Sequence, residues 1–268
     1  MPMPSQQITI VTICYNVKEE LEKTIQSVQN QICKSYEFII VDGGSTDGTL
    51  EVINKYSSCV TKWISEADNG IYDAMNKGID LASGDWIIFM NAGDVFYDTE
   101  VIQQLAERNY SSNVGIVYGD VELDFGRAGK LIKCFKKFSK DDVVLEMCHQ
   151  GVMTRSDILK RIHYDTSFRI MADLNSFNTI YNLGYILEYI PITFSTFEVT
   201  GGISSNKPLL SFKELCRIKS IKKDSFEYKT LYIRAIIRYL LQRLIPKRIY
   251  NLVRYRKVSS IKQYKSDN

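Results

Sequence analysis

The chain has 268 residues, of which 45% are hydrophobic and 24% charged, and its net charge is +3. That length holds one large domain or a domain with an appendage, and the composition belongs to a globular protein rather than a disordered or fibrous one. No run of about eighteen apolar residues occurs, so no spanning helix is expected. Six cysteines (Cys14, Cys33, Cys59, Cys134, Cys148, Cys216) form neither a CxxC pair nor a zinc spacing, and reduced thiols in a cytosolic protein are expected. The opening MPMPSQQ lacks the basic start of a secretory signal. Charge is unevenly spread. Residues 201–268 hold 17 Lys and Arg against 4 Asp and Glu, a surplus of +13, and the residues before them carry −10. A basic tail on an acidic body points to an anionic partner for the tail.

Residues 8–14, ITIVTIC, are a β-branched apolar run and the first predicted strand. Asn16 with Glu19 resembles a capping box, and Val17, Leu21, Ile25, Val28 and Ile32 recur at helical spacing. Residues 36–41, YEFIIV, form a second strand that breaks at Asp42, Gly43 and Gly44, where glycine permits positive φ. Leu50, Val52, Ile53 and Tyr56 mark a second helix, and residues 60–64, VTKWI, a short third strand. Asp68 and Asn69 are placed to cap a helix over 70–82, with Ile71, Ala74, Met75 and Ile79 as its apolar positions and Gly84 as its stop. WIIFM, 86–90, is strand four. A helix follows Asp98, and VGIVYG, 114–119, is strand five, ending at Asp120.

This alternation predicts an α/β fold with a mostly parallel sheet. Beyond 120 it weakens. LDFGRAGKLIKCFKK reads as a hairpin, SKDDVVLEM as a helix start, SFNTIYNLG as a helix ended by Gly184, and YILEYIPITFSTFE as strand interrupted by Pro191. The tail after about Leu209 reads as helical and basic, broken at Pro246.

Ligands of open α/β sheets bind at the carboxyl ends of the strands. Here strand one ends near Asn16, strand two at Asp42, strand four at Asp94 and strand five at Asp120. One such Asp is as easily a turn residue; their recurrence on one edge points to a site. Neither GxxxxGK[ST] nor GxGxxG occurs, which argues against a P-loop or a dinucleotide fold. Carboxylates beside an amide suit Mg²⁺ or Mn²⁺ that itself holds phosphates, and such an ion needs only one or two protein ligands.

The succession TICYNV, VDGGSTDGT, SEADNGIYDAMNKG and MNAGD resembles an inverting family 2 glycosyltransferase with the GT-A fold, over roughly the first 200 residues. GIYDAMNKG, a later HQ and GGISS resemble a bacterial branch that builds O-antigen, capsule and colanic-acid-like polysaccharides on a lipid carrier. The resemblance implies a GT-A domain over 1–205, with a nucleotide-binding half to about 120 and an acceptor half after it, and a basic helical extension over 206–268.

It also implies roles. Thr12 and Asn16 would line the nucleotide pocket, and Asp42 would accept from the uracil N3–H. Gly43, Gly44 and Ser45 would let backbone approach the nucleotide. Asp68, Gly70 and Asn76 would sit near the ribose or sugar, with Lys77 close to phosphate; a solvated helix face is the other reading of Asn76 and Lys77. Asp94 would hold the metal across the UDP phosphates. Many relatives carry a second Asp where this chain has Gly93, and Asn91 either compensates through its amide oxygen or caps the turn. Asp173, in RIMADLNSF, matches the base position. The neighbours Ala172 and Leu174 supply no second acid. His149 and Gln150 would lie near the acceptor or the diphosphate. TGGISSN, 200–206, is a glycine-rich loop that reads either as a turn or as a lid that excludes water.

The implied reaction moves a hexose, from UDP-glucose or UDP-galactose, onto a polyprenyl-diphosphate-linked GlcNAc or GalNAc with Mn²⁺ or Mg²⁺. The expected place is the cytoplasmic face of the inner membrane, with the tail on anionic lipid and no nucleic-acid partner. The rival classes are a sugar-phosphate nucleotidyltransferase and a nucleotide-sugar-binding scaffold. CYNVKEEL is not the glycine- and arginine-rich loop of the first, and retained Asp94 and Asp173 argue against the second.

Overall fold

The computed structural model describes residues 7–135, 147–199, 207–261 and 264–266. Strands β1 (Ile8–Cys14), β2 (Tyr36–Asp42), β3 (Lys62–Ser65) and β4 (Trp86–Phe89) lie in the order β3-β2-β1-β4 and are parallel. Every residue of β1 is buried, because helices cover both faces of the sheet; hence its unbroken apolar run. Alternate strand residues serve opposite faces. Ile8, Ile10, Phe38 and Ile40 pack on Leu21, Ile25 and Val28 of α1 (Lys18–Gln29). Val11, Ile39, Val41 and Phe89 pack on Tyr72, Met75 and Ile79 of α3 (Ile71–Leu81). A Cβ at Gly78 would come within 2.4 Å of Val11 Cγ1, so glycine there lets α3 lie close on the sheet. α2 (Thr49–Lys55) follows β2, and β5 (Val95–Phe96) and α4 (Val101–Ala106) follow β4.

Past β4 the sheet takes in an antiparallel strand, β8 (Val152–Arg155), between β4 and β6 (Val114–Asp124). Two reversals leave β6 running the same way as β1–β4, so the mostly parallel expectation holds for strand direction. β6 pairs antiparallel with β7 (Lys130–Lys133) in the expected hairpin, and parallel with β9 (Ile186–Glu198), which also takes β5. β6 does not stop at Asp120, as the sequence predicted. It continues through register shifts there, and Asp120 Oδ1 accepts from Phe135 N–H at 2.8 Å and Tyr189 O–H at 3.1 Å. β9 likewise passes through Pro191, which falls in the matching gap between the paired Tyr189 and Thr193.

Asn16 does not cap α1. Val17 is the cap residue, and Asn16 sits at φ +51° with its Oδ1 accepting from Thr46 N–H. α3 starts at Ile71 with no side-chain cap; Asp68 accepts from Gly70 N–H instead. α5 (Ser156–Ile162) and α6 (Ala172–Asn182) follow β8. The tail forms α7 (Pro208–Ile218), α8 (Phe226–Leu244) and α9 (Lys247–Ser259), with Pro246 at the expected break, and β10 (Tyr264–Ser266) pairs with β7. The helix start predicted at SKDDVVLEM lies almost wholly, and the loop 200–206 wholly, outside the described residues.

Glu37 fastens the back of the parallel half. It accepts from Thr9 Oγ1, Lys62 Nζ, Ser83 N–H and Ser83 Oγ at 2.6–2.8 Å. Burial opposes its ionisation, but these donors win and hold the carboxyl at about 2 against an ordinary 4.5. Between those values the unfolded chain binds the extra proton. The contribution is therefore full above about 4.5 and lost as pH falls toward about 2. Glu37→Gln is expected to lower the thermal midpoint at pH 7 and to flatten its pH dependence across that window, as calorimetry of both proteins would record.

Candidate active site

The dry strand β4 ends in Asn91, Ala92, Gly93 and Asp94. Asp94 N–H donates to Asn91 O at 2.9 Å and closes a turn. Gly93 sits at φ +101°, a region that favours glycine. A Cβ there would meet only Glu20, at 3.7 Å, so the constraint at residue 93 is backbone conformation and not space. Thr24 of α1 clamps the turn: its Oγ1 accepts from Gly93 N–H at 2.9 Å and donates to Asp94 O at 2.8 Å. The Asp94 side chain lines a cavity of about 660 Å³, within the usual range for a small-molecule site.

Asn91, His149, Gln150 and Asp173 share that cavity. His149 opens a short 3₁₀ turn ahead of β8, and Asp173 lies in the first turn of α6. His149 Nδ1 is 3.2 Å from Asp173 Oδ2. Its Nε2 is 3.1 Å from Asn91 Nδ2 and 4.0 Å from Asp94 Oδ2. One imidazole thus links two carboxylates. The other oxygen of Asp173 accepts from Tyr72 O–H at 2.9 Å, and the same hydroxyl reaches Ile170 O at 2.5 Å.

Burial pushes the Asp94 carboxyl up to about 6, although His149, Gln150 and the Asn91 backbone pull it down. Burial alone would lower the His149 imidazole, but the Asp173 hydrogen bond and the charges of Asp173 and Asp94 raise it above its ordinary value.

Several expected ligand residues are committed elsewhere. Thr12 is fully buried and donates to Met90 O at 2.6 Å, strapping β1 to β4. Asp42 is also fully buried. Its oxygens accept from Gly44 N–H, Ser45 N–H, Ser45 Oγ and Ser65 Oγ, which hold its carboxyl below the usual range against the cost of burial. It therefore shapes the Gly43–Gly44–Ser45 loop rather than presenting a free acceptor. Asn16 is stitched to that loop, its N–H donating to Ser45 Oγ at 2.7 Å. Asn76 spends both ends of its amide on the Tyr164 backbone. Lys77 pairs with Glu66 at 2.9 Å and donates to Ala67 O at 2.9 Å.

Asp68 is differently placed. A Cβ at Gly43 would lie 2.4 Å from Asp68 Oδ2 and 3.3 Å from Tyr15, so the Asp68 carboxylate fills the space a side chain at 43 would take. Its Oδ1 holds Gly70 N–H, and no bond to Oδ2 is present among the described residues. Gly70, at φ +116°, faces Arg169, whose Nη1 donates to Asn69 O at 3.0 Å.

Tyr72, Thr24 and Arg169 were not singled out from sequence. Tyr72 stands inside GIYDAMNKG, but its contact is 101 residues away. Arg169 stands four residues before Asp173, and the cavity it lines forms only in the fold.

Residues 9–171 match the family described as glycosyl transferase family 2, and the chain belongs to that family. It is a glycosyltransferase. It is 29% identical over 217 residues, 76% of this chain and 81% of the relative, to a PGL/p-HBAD biosynthesis glycosyltransferase of Mycobacterium bovis. A Pyrobaculum calidifontis mannosyltransferase solved with GDP-Man and Mn²⁺ superposes with a TM-score of 0.64 at 16% identity, covering 97% of this chain and 76% of that one. S. aureus TarS 1–349, solved with UDP-GlcNAc, also gives 0.64 at 16% identity, covering 94% and 90%. These likenesses show the GT-A fold.

The residues present fit a divalent ion in one way. Asn91 Oδ1 is buried without a hydrogen-bond partner, three residues from Asp94, so an amide oxygen and a carboxylate stand together as hard donors. Among the described residues no group of three or more His, Cys, Asp or Glu could hold a metal by itself, so an ion there would draw its other ligands from water or a bound substrate. Protonated Asp94 is no ligand. Mn²⁺ affinity in the presence of UDP is therefore expected to be flat above about pH 6 and to fall about tenfold per pH unit below it. Titration followed by electron paramagnetic resonance would show this, and a profile without the break would separate Asp94 from the ion.

Proposed function

We propose that this glycosyltransferase moves a hexose with inversion from UDP-glucose or UDP-galactose to a sugar on a polyprenyl diphosphate, forming a β linkage in surface-polysaccharide assembly of the O-antigen kind. The observation that carries the reading is the pair of carboxylates, Asp94 and Asp173, facing one cavity and joined by His149. One carboxylate beside an amide suits a metal-bound diphosphate, and the other suits a base.

In this reading Asp173 takes the proton of the acceptor hydroxyl as its oxygen bonds to the anomeric carbon and the bond to the diphosphate breaks. Tyr72 and His149 each hold one oxygen of Asp173 and fix its plane. Oδ1 also accepts from Leu174 N–H at 2.9 Å, so it is Oδ2, held by His149, that retains a lone pair for the incoming proton. Mn²⁺ or Mg²⁺ bound at Asp94 and Asn91 supplies neutralisation of the charge that develops on the diphosphate. Arg169 and Lys23, both exposed in the cavity wall, add positive charge on the chain's own account. In this reading Asp68, whose Oδ2 has no hydrogen bond among the described residues, accepts from the nucleoside in place of the hydrogen-bonded Asp42.

The proposed site of action is the cytoplasmic face of the inner membrane. The support is α8. Phe226, Ile233, Ile237, Leu240 and Leu244 form one exposed stripe at helical spacing, Phe226 86% and Leu244 77% exposed. Ala235, the buried residue of this helix, lies on the opposite side. Lys229 and Arg243 flank the stripe on one side, Arg234 and Arg238 on the other. An apolar stripe between basic rows is the pattern of a helix lying in an anionic lipid surface. No described helix is long and apolar enough to cross a membrane.

Purified protein with UDP-sugars, Mn²⁺ and a synthetic GlcNAc-diphosphate-lipid is expected to add one hexose, detected by mass spectrometry, and to stop in EDTA. Asp173→Asn should lower kcat by about a thousandfold and leave UDP binding intact. Full turnover by that variant would remove Asp173 as the base. The protein should also sediment with anionic liposomes at low salt, and the double change Ile237→Glu, Leu240→Glu should leave it in the supernatant. If the unaltered protein stays there too, the membrane drops out of the reading.

A further inference from the structure

The chain that delivers Asp173 is held from behind by the tail. Glu214, on α7, is 6% exposed. Its Oε1 accepts from Arg169 N–H at 2.7 Å, and its Oε2 accepts from Ile170 N–H at 3.0 Å and Met171 N–H at 2.9 Å. These three amides immediately precede α6, whose second residue is Asp173. The first amides of a helix and its approach have no partners within the helix. Here one carboxylate from more than 40 residues downstream satisfies three of them. It lies beyond residue 171, where the family match ends.

The same five residues are gripped from the front. Tyr72 O–H bonds both Ile170 O and Asp173 Oδ1, and the Arg169 guanidinium bonds Asn69 O. Residues 169–173 therefore run between two clamps, Tyr72 and Asn69 on the α3 side and Glu214 on the α7 side. α7 has its own moorings. Arg217 reaches Asp165 at 3.1 Å and Ser167 at 2.8 Å and lies over the Phe168 ring at 4.0 Å. Glu214 is thus not needed merely to attach the helix.

We propose that Glu214 is a positioning residue for transfer, its carboxylate fixing the 169–171 backbone so that Asp173 faces the cavity. The role rests on the reading of Asp173 as the base. Neutralising Glu214 leaves buried backbone donors short of acceptors, and the segment relaxes toward water. A shift of about 1 Å in a catalytic group costs on the order of a hundredfold in rate.

Glu214→Gln keeps the size but turns an amide NH₂ toward backbone N–H groups; Glu214→Asp keeps the charge, draws it back by one methylene, and serves if the first variant does not fold. Two measurements are made well below the thermal midpoint. Hydrogen–deuterium exchange reads the amides of 169–171. Turnover with a UDP-sugar and the lipid acceptor is measured in the wild-type and Asp173→Asn backgrounds. Faster exchange confined to that segment is expected, with kcat down about tenfold to a hundredfold in the wild-type background and no further loss in Asp173→Asn.

Unchanged exchange would overturn the proposal. So would an equal fractional loss of turnover in both backgrounds, because Glu214 would then act elsewhere than through Asp173. If the unaltered protein transfers no sugar from any donor, the reading of donor and acceptor fails, and the exchange result alone decides whether the clamp exists.

Discussion

His149 stands between two carboxylates in a largely buried place, and the site depends on that contact. Asp94 and Asp173 come from different halves of the fold, one from the end of a parallel strand and one from a helix beyond the family match. The imidazole stands between them, 3.2 Å from one and 4.0 Å from the other. It can stand there because β8 runs antiparallel between β4 and β6. The turn leading into β8 therefore lies at the edge where β4 ends, beside the Asn91–Asp94 turn.

Around that contact the polar groups are largely spent on the protein itself. Asp42, Asn16 and Ser45 stitch the loop after β2 to the end of β1, and Thr12 straps β1 to β4. Asn76 pins Tyr164, and Tyr72 pins Asp173. Buried donors and acceptors left unpaired would cost about 1–3 kcal/mol each, so this saturation is what stability demands of a polar strand edge. It also selects the groups left for a ligand. Asp68 Oδ2 and Asn91 Oδ1 remain without a hydrogen bond among the described residues, and the Arg169 guanidinium meets only a backbone carbonyl.

The tail contributes to the body at both ends. α7 carries Glu214 to the base segment. α9 carries Arg254, which donates to Val199 O at 2.8 Å, and Tyr255, edge-on to Phe125 at 5.6 Å. Between these anchors α8 packs through Tyr228, Tyr232 and Ala235 on the Phe212 side and leaves its apolar stripe outside. A helix held at its flanks, with an unpartnered apolar face between basic rows, is oriented before it meets any surface. That would lower the ordering cost of the lipid contact proposed for it.

Much of this was legible in the residues. The apolar strands β1, β2 and β4, the helix over 71–81, the hairpin of β6 and β7 and the break at Pro246 follow from local periodicity and turn chemistry, which each segment carries by itself. Asp94, His149 and Asp173 could be picked out because their motifs occur in order along the chain. The residue types could not tell a carboxylate facing a ligand from one facing its own loop. Asp42 and Asp68 both follow strands, yet one is saturated and the other has a free oxygen. Nor could spacing reveal Tyr72 on Asp173 across 101 residues, or Glu214 on 169–171. The sequence by itself determined the alternation of elements and the buried faces, because these are written in short-range pattern, and its ordered motifs carried the resemblance that implied the class of chemistry. The tertiary structure alone decided which polar groups remain free to act, because hydrogen-bond saturation depends on partners brought together only when the chain closes on itself.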